Sequence, residues 1–303
     1  MKKLTRSQRK SQRKKLKTST TAENKLLAVV KNIFKIQLPK NATLQDFRNS
    51  INKIQASRLD SFIERYTKLI LRTNKTGFEQ ILKALMQGSS GNKKLQEKLD
   101  SSYQSLMQEE RIYRPLLKKF ESNLKLIKKI PFEVEAKLQE GYEEGVSFRG
   151  TDIEKFLQQA LGKRAKLIIR TESSKVNSAL TEIRAKNLGI NGYIWSTSED
   201  QRVRGSHKLM DGVLVFWNNV PTLDKMTGHA GEYPNCRCLG LPVVTVEDLS
   251  FPLRVAEGNL VVESKYVKGS HGKKYNTRII SGRIKEYSKA EFLRVYGKQF
   301  NAA

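Results

Sequence analysis

Apolar residues in the first 130 positions recur three and four places apart, which is the spacing of helices with one buried face. Such runs cover residues 22–38, 44–72, 76–86 and 93–129. Pro39 ends the first run, residues 88–92 interrupt the chain after the third, and Pro115 predicts a kink or break in the fourth. The pattern predicts an elongated helical region whose apolar stripes serve as packing faces.

The hydrophobic period changes in the second half of the chain. Helices are predicted at residues 131–145, 154–161 and 163–188, and strands at 193–197, 213–217 and 241–246. A loop punctuated by Gly and Pro, residues 218–235, separates the last two strands, and a helix from about Ser288 follows short β-prone pieces after Pro252. The predicted fold class is α+β: an elongated basic helical N-terminal half, then a small α+β module with a short antiparallel sheet.

Charge divides the chain in a similar way. The formal net charge is +27, with +21 in residues 1–130, −1 in residues 131–250 and +7 in residues 251–303. We therefore expect a disordered basic arm at 1–20, a basic helical region at 21–130, a folded module at 131–250 and a basic tail at 251–303. Self-repulsion on this scale favours a polyanionic partner over a merely solubilising surface.

The compartment is constrained by what the 303 residues contain. Two cysteines argue against a secreted domain stapled by disulfides. The basic N-terminus lacks the apolar region of a signal peptide, and no stretch approaches the ~20 apolar residues that span a bilayer. We expect a protein kept in a soluble compartment, without a membrane anchor.

Chemistry-bearing residues in the near-neutral module follow one another in a defined order, which ends in both cysteines of the chain. They are Arg170, Glu172, Trp195, Asp200, Arg202, Arg204, His207, Asp211, Gly212, Asn235, Cys236, Arg237 and Cys238. Their order and spacing over roughly residues 130–247 resemble the Mu F-like, SPP1 gp7-type minor head proteins of tailed phages.

The resemblance implies a minor capsid component without established enzymatic activity. Such a protein attaches to the portal protein inside the capsid near the portal vertex, after assembly in the host cytoplasm, and assists DNA packaging or ejection. Scaffold and major capsid protein are the further partners that it implies. The basic N-terminal half carries no motif of the family.

The cysteine pair permits three interpretations. Cys236 and Cys238 with His207, and His229 as a further candidate, supply the thiolate and imidazole ligands of a tetrahedral zinc site. Zinc-binding cysteines are more often two to four residues apart, so two small buried thiols, with His207 hydrogen-bonded to a backbone group, are the alternative. A disulfide between such close neighbours would be strained. No cofactor is fixed by the sequence alone.

The acidic and basic residues near the cysteines have a structural interpretation as well. Asp200, Arg202, Arg204, Asp211 and Glu172 are sufficient for an ion-pair network that ties the helix at 163–188 to the sheet. Trp195 and Trp217 are predicted core anchors.

Sequence-independent contact with double-stranded DNA is expected from charge rather than from a site. The arm supplies nine cations and no acid: Lys2, Lys3, Arg6, Arg9, Lys10, Arg13, Lys14, Lys15 and Lys17. The tail adds Lys265, Lys268, Lys273, Lys274 and Arg278, with Tyr266 and Tyr275 among them, as a second phosphate-contacting surface. An acidic protein or an anionic membrane is the competing partner for the arm.

Two other functions fit parts of the pattern. A nuclease would use His207 or His229 as general base beside the cysteine region, but no matching carboxylate cluster accompanies them. A general nucleic-acid-binding factor would need only the charge. We predict no catalytic residue and a non-enzymatic protein.

Overall fold

A computed structural model describes residues 11–12, 14–15, 20–86, 97, 106–269 and 272–300. The predicted break at 88–92 therefore lies outside the described residues. The same holds for most of the predicted basic arm at 1–20 and, apart from residue 97, for residues 93–105 of the run at 93–129. None of the described helices is long and apolar enough to cross a membrane.

The α-helices are labelled in chain order. They are α1 Thr20–Ile33, α2 Leu44–Asn52, α3 Arg58–Met86, α4 Leu106–Ile112, α5 Arg114–Lys125, α6 Ile130–Glu143, α7 Gly150–Ala160, α8 Lys166–Asn187, α9 Gly205–Met210 and α10 Lys289–Phe300. There are also short 3-10 segments at Leu126–Lys129 and Val246–Asp248 and a π-helical turn at Leu161–Ala165.

Seven described strands form one sheet. They are β1 Gly192–Ser196, β2 Val213–Phe216, β3 Thr222–Leu223, β4 Met226–Thr227, β5 Leu239–Pro242, β6 Leu253–Gly269 and β7 Gly272–Tyr287. The order is β4-β3-β6-β2-β1-β5, with β7 paired to β6. β1 pairs antiparallel with β2 and β5, β3 with β4, and β6 with β7, whereas β2 and β3 each run parallel to β6.

The chain divides into two compact units. Unit 1 comprises residues 1–17, 71–112 and 174–303, and unit 2 comprises residues 18–70 and 113–173. Unit 1 holds the sheet, and its core is centred on buried residues of the central strands such as Tyr193, Trp195 and Leu214. Unit 2 is helical and buries a stripe from each helix, for example Phe47, Ile63 and Phe120. The boundaries predicted from charge at residues 20, 130 and 250 stay predictions.

Some predicted helix boundaries are wrong. Helix α3 runs without a break from Arg58 to Met86 and so crosses the predicted gap between residues 72 and 76. The run at 44–72 begins with a capping box formed by Thr43 and Asp46, but it is broken at residues 53–57, between the end of α2 and the start of α3. The predicted gap between 161 and 163 is instead the π-helical turn that joins α7 to α8. Gly162 fits that turn, where a Cβ would meet only the flexible end of Lys31.

Other boundary signals act as predicted. Pro115 and Pro131 lie in the first turns of α5 and α6, where a missing N–H costs no helical hydrogen bond. Gly189, with φ of 76°, follows the end of α8. The α+β fold class is confirmed, and the first two predicted strands correspond to β1 and β2, whereas the third, predicted at 241–246, shares only residues 241 and 242 with β5.

The sheet is larger than predicted and contains two parallel pairs, because the basic tail joins it. Residues 253–287 form a long antiparallel hairpin rather than short pieces. Its first strand inserts beside β2 and β3 through Arg254, Val255, Val261 and Val262. The tail is thus an integral part of unit 1.

Candidate metal centre

Two loops of unit 1 bring His207 together with both cysteines. His207 lies on α9, the short helix that follows the Asp200–Arg204 loop, and the cysteines lie in the turn that leads into β5. Asn235 has φ of 54°, a left-handed conformation that asparagine tolerates better than most residues. This turn directs the chain so that Cys236 and Cys238 converge.

The potential ligand atoms lie at short mutual distances. His207 Nδ1 is 3.4 Å from Cys238 Sγ and 3.5 Å from Cys236 Sγ. All three ligand atoms lie within 4.8 Å of one another, and all three residues are buried. The backbone N–H of Cys238 also lies 3.4 Å from Cys236 Sγ, in position to donate to it.

The electrostatic surroundings favour a thiolate at Cys236. Hydrogen bonding from the Cys238 side chain, and then from His207, lowers the pKa of the Cys236 thiol well below its ordinary value. Burial acts in the opposite direction and is outweighed. A thiolate is the form of cysteine that binds metals and reacts as a nucleophile.

Aromatic rings enclose the imidazole of His207. Trp195 lies edge-on to it with centroids 5.6 Å apart, and Tyr233 lies 4.7 Å away at 69°. The Tyr233 hydroxyl donates to the carbonyl oxygens of Gly228, at 2.7 Å, and of Pro221, at 3.2 Å, so this ring fixes the loop at 218–235. Burial raises the pKa of Tyr233, which keeps the phenol neutral. Trp195 and Trp217 are buried core residues, as predicted.

His229 does not belong to the cluster, which corrects the predicted set of ligands. Its Nδ1 lies 3.1 Å from the Tyr193 hydroxyl, and its ring packs edge-on against Tyr193 and Trp217. Burial is the main cause that lowers the pKa of His229. A neutral imidazole that anchors the loop to β1 fits this environment.

Asp200 and the arginines join the two loops that carry the cluster. Asp200 pairs with Arg237, whose Nη2 donates to Oδ1 at 2.6 Å, and the guanidinium lowers the pKa of that carboxyl. Arg204 Nη2 donates to the Pro234 carbonyl at 2.9 Å. Arg202 is largely exposed, with Nη2 3.9 Å from Asp200 Oδ2. The predicted loop-orienting role therefore belongs to Arg204 and Arg237.

Asp211 and Gly212 shape the turn between α9 and β2. Asp211 Oδ1 accepts hydrogen bonds from the backbone N–H of Thr197 at 2.7 Å and from its hydroxyl at 2.9 Å. Gly212, with φ of 75°, donates its N–H to the Trp195 carbonyl at 2.8 Å. A non-glycine residue would be strained there.

Arg170 and Glu172 belong to unit 2, whereas the cluster belongs to unit 1. Glu172 accepts a hydrogen bond from Asn123 Nδ2 at 2.6 Å, and Arg170 Nε lies 3.6 Å from Glu23 Oε2. The predicted ion-pair network of Asp200, Arg202, Arg204, Asp211 and Glu172 stays a prediction.

Asp224 and Tyr193 were missed from the sequence. Asp224, in the turn between β3 and β4, accepts a hydrogen bond from the Ser206 hydroxyl at 2.7 Å and from the N–H and hydroxyl of Ser264. It thereby connects α9 to β6. The sequence signal that could have revealed it is Asp224-Lys225 between two β-prone pairs, a two-residue hairpin turn.

The donor set limits the chemistry of this site. Two sulfurs and an imidazole nitrogen suit zinc or another thiophilic ion rather than magnesium or calcium. Within the described residues no carboxylate joins the three ligands. The arrangement thus lacks the oxygen ligands that metal-dependent nucleases use for magnesium.

Comparison with known proteins agrees with the order of motifs in this region. Residues 128–240 match the family described as Phage Mu protein F like protein, which confirms the resemblance for that segment. A protein of Haemophilus influenzae, described as an uncharacterized protein, is 44% identical over 90 residues, or 30% of this chain and 20% of that protein. The chain thus spans about a fifth of the length of this curated relative. No solved structure matches the chain.

Proposed function

From the Mu protein F-like region at residues 128–240, we propose that the protein is a minor head protein of a tailed phage, acting in head morphogenesis. In this proposal it attaches to the portal protein, resides inside the capsid near the portal vertex and contacts packaged DNA. The family match carries the assignment to the head. The distribution of charge supports the contact with DNA.

The near-neutral region is suited to a protein partner. Residues 131–250 carry 15 Lys and Arg against 16 Asp and Glu, so long-range repulsion does not oppose docking on another protein. We assign the attachment to the portal to this region, with scaffold and major capsid protein as further contacts during assembly.

The hairpin of β6 and β7 is a candidate DNA-contacting element. Residues 253–287 carry eight Lys and Arg against three acids. Two of the acids are already paired within the hairpin, Glu257 with Arg283 at 2.6 Å and Glu263 with Arg278 at 3.4 Å. Apart from these two pairs, the hairpin carries six Lys and Arg against one acid, so its net charge is positive.

The register of the hairpin concentrates that charge near its tip. Lys268 stands opposite Lys273, and Val267 stands opposite Lys274. Lysines gathered along one hairpin can neutralise phosphates without reading the base sequence. Tyr266 and Tyr275, directly opposite each other with centroids 6.0 Å apart, stabilise the strands just below.

A binding experiment separates the contact with DNA from the attachment to the portal. We expect the substitution of Lys265, Lys268, Lys273 and Lys274 by Gln to weaken binding to random-sequence duplex DNA. The log–log dependence on salt should become less steep by about 0.9 for each phosphate that is no longer neutralised, up to about 3.6. Deletion of residues 2–20 should weaken DNA binding as well, and both variants should still bind the portal. Fluorescence anisotropy over a salt series and portal capture give these readouts.

The matched control replaces four exposed lysines of the near-neutral region, Lys137, Lys155, Lys208 and Lys225, by Gln. This control removes the same charge and should change the salt dependence much less. Equal losses of affinity in the two sets would assign DNA binding to net charge and refute the hairpin. Unchanged affinity at low salt after removal of the arm would refute the arm.

A further inference from the structure

We propose that His207, Cys236 and Cys238 bind one Zn²⁺ ion, with a water molecule as the fourth ligand. This inference does not depend on a role in phage heads. It rests on the positions of three buried side chains in unit 1 and on the atoms that surround them.

The distances agree with a tetrahedral zinc site. With Zn–S bonds of about 2.3 Å and a Zn–N bond of about 2.0 Å, a nitrogen and a sulfur on one tetrahedron lie about 3.5 Å apart. The observed separations of His207 Nδ1 from the two sulfurs are 3.4 Å and 3.5 Å. The nitrogen of His207 therefore already lies at the distance from both sulfurs that a tetrahedral zinc ion requires.

The alternative of a structural histidine among packed thiols fits less well. That interpretation expects His207 to be hydrogen-bonded to a backbone group. Its Nε2 is instead buried without a hydrogen-bond partner among the described residues, and its Nδ1 faces the two sulfurs. The rings of Trp195 and Tyr233 pack against the imidazole and hold it with Nδ1 directed at the two sulfurs.

The surroundings also supply the outer contacts of a thiolate ligand. The Cys238 N–H is placed to donate to Cys236 Sγ, and such bonds stabilise a coordinated sulfur. The bridge from Asp200 to Arg237, between the cysteines, and the bond from Arg204 to the Pro234 carbonyl hold the two ligand-bearing loops together. Zinc would then tie α9 to the turn before β5.

Zinc is the ion that the ligands favour. A set of two thiolates and one imidazole selects zinc over magnesium and calcium, which take oxygen ligands. The three described protein ligands leave one tetrahedral position, which a water molecule fills in sites with three protein ligands.

Elemental analysis of the full-length protein tests the proposal. The protein is produced in zinc-supplemented medium with a tag that contains no histidine. We expect one zinc per chain in the wild type, and a loss of at least about tenfold in bound zinc in His207→Gln and in the Cys236→Ser/Cys238→Ser double variant. The control His229→Gln removes a buried histidine outside the cluster and should retain the metal.

A measurement on the wild type avoids dependence on variants that fail to fold. Titration of the thiols with an organomercurial should release the zinc as the two cysteines react, and Co²⁺ in its place should give the visible absorption of a tetrahedral thiolate site. A folded wild type without bound zinc after supplementation would overturn the proposal. Zinc retained equally by the folded double cysteine variant, or copper in place of zinc, would overturn it too.

Discussion

Asp248 shows how burial changes one residue at the surface of unit 1. It lines a cavity of about 400 Å³ together with Asp211 and Arg254, among other residues. Burial raises the pKa of its carboxyl to about 6, although the N–H groups of Val244 and Thr245 donate to it and act in the opposite direction. The carboxyl therefore takes up a proton in the folded state at a pH where the unfolded chain has none.

This shift predicts a dependence of stability on pH. Because the folded pKa lies above the unfolded value of 3.8, the contribution of Asp248 is fully present below pH 3.8 and is lost as the pH rises through about 6. Relative to Asp248→Asn, the wild type should gain about 3 kcal/mol in free energy of unfolding between neutral pH and that limit.

Denaturant titrations of both proteins at matched pH measure the difference. Carboxyls such as Asp200, whose pKa is lowered, change stability with pH in the opposite direction. They are present in both proteins, so their contribution cancels in the difference. Parallel stability curves for the wild type and Asp248→Asn would contradict the assigned shift.

Residue identity alone predicted part of the candidate site. His207 and the two cysteines were predicted because imidazole and thiols form a recognisable ligand set. His229 could not be excluded from the sequence, since its separation from the cluster depends on its contact with Tyr193, 36 positions earlier. The contacts of Asp224 were missed because its carboxylate accepts hydrogen bonds from Ser206 and Ser264, which come together only in the tertiary fold.

At the scale of elements, the ligand-bearing helix α9 is held against the β6–β7 hairpin by close packing. A Cβ on Gly205, the first residue of α9, would lie 2.5 Å from Thr277 Oγ1, 2.6 Å from Tyr275 Cβ and 3.0 Å from Ser264 Cβ. These atoms lie near the hairpin backbone and cannot easily move aside. The absence of a side chain at Gly205 thus allows the helix to approach the hairpin.

Gly205→Ala should consequently destabilise unit 1. We expect a loss of about 1–3 kcal/mol in free energy of unfolding, the usual cost of overpacking a tight interface. Gly297→Ala is the matched control, because its Cβ would meet Leu293 at ordinary distances of 3.7 Å and 3.9 Å within α10. That change should be neutral or stabilise the helix by up to about 1 kcal/mol.

Thermal and urea unfolding of both glycine variants provide the comparison. An alanine at 205 tolerated as well as one at 297 would show that α9 does not pack as tightly on the hairpin as the structure indicates.

Helix type and approximate extent were predicted better than helix boundaries. Proline and glycine signals at Pro115, Pro131 and Gly189 act locally, and the sequence reveals them. The break at 53–57 lies within continuous apolar periodicity, so the pattern could not locate it, and at 161–165 the pattern predicted a gap where a π-helical turn continues the helix. The parallel pairs of β6 were hidden because they join segments distant in the sequence.

At the scale of the whole molecule, the boundaries between regions of different net charge do not coincide with the boundaries between the two compact units. The charge changes near residues 130 and 250, whereas each compact unit combines segments from both sides of residue 112. The basic hairpin is part of the same unit as the candidate metal centre. In the proposed function this continuity couples the DNA-contacting strands to the near-neutral region that docks on the head.

The content of purified phage heads tests the central claim most directly. Quantitative mass spectrometry of particles from a culture that produces this protein compares its copy number with those of the portal and major capsid proteins. The proposed function predicts its presence in heads at a small fraction of the major capsid protein, and its loss from heads assembled without the portal. Its absence from particles, while it is abundant in the same lysate, would contradict the assignment.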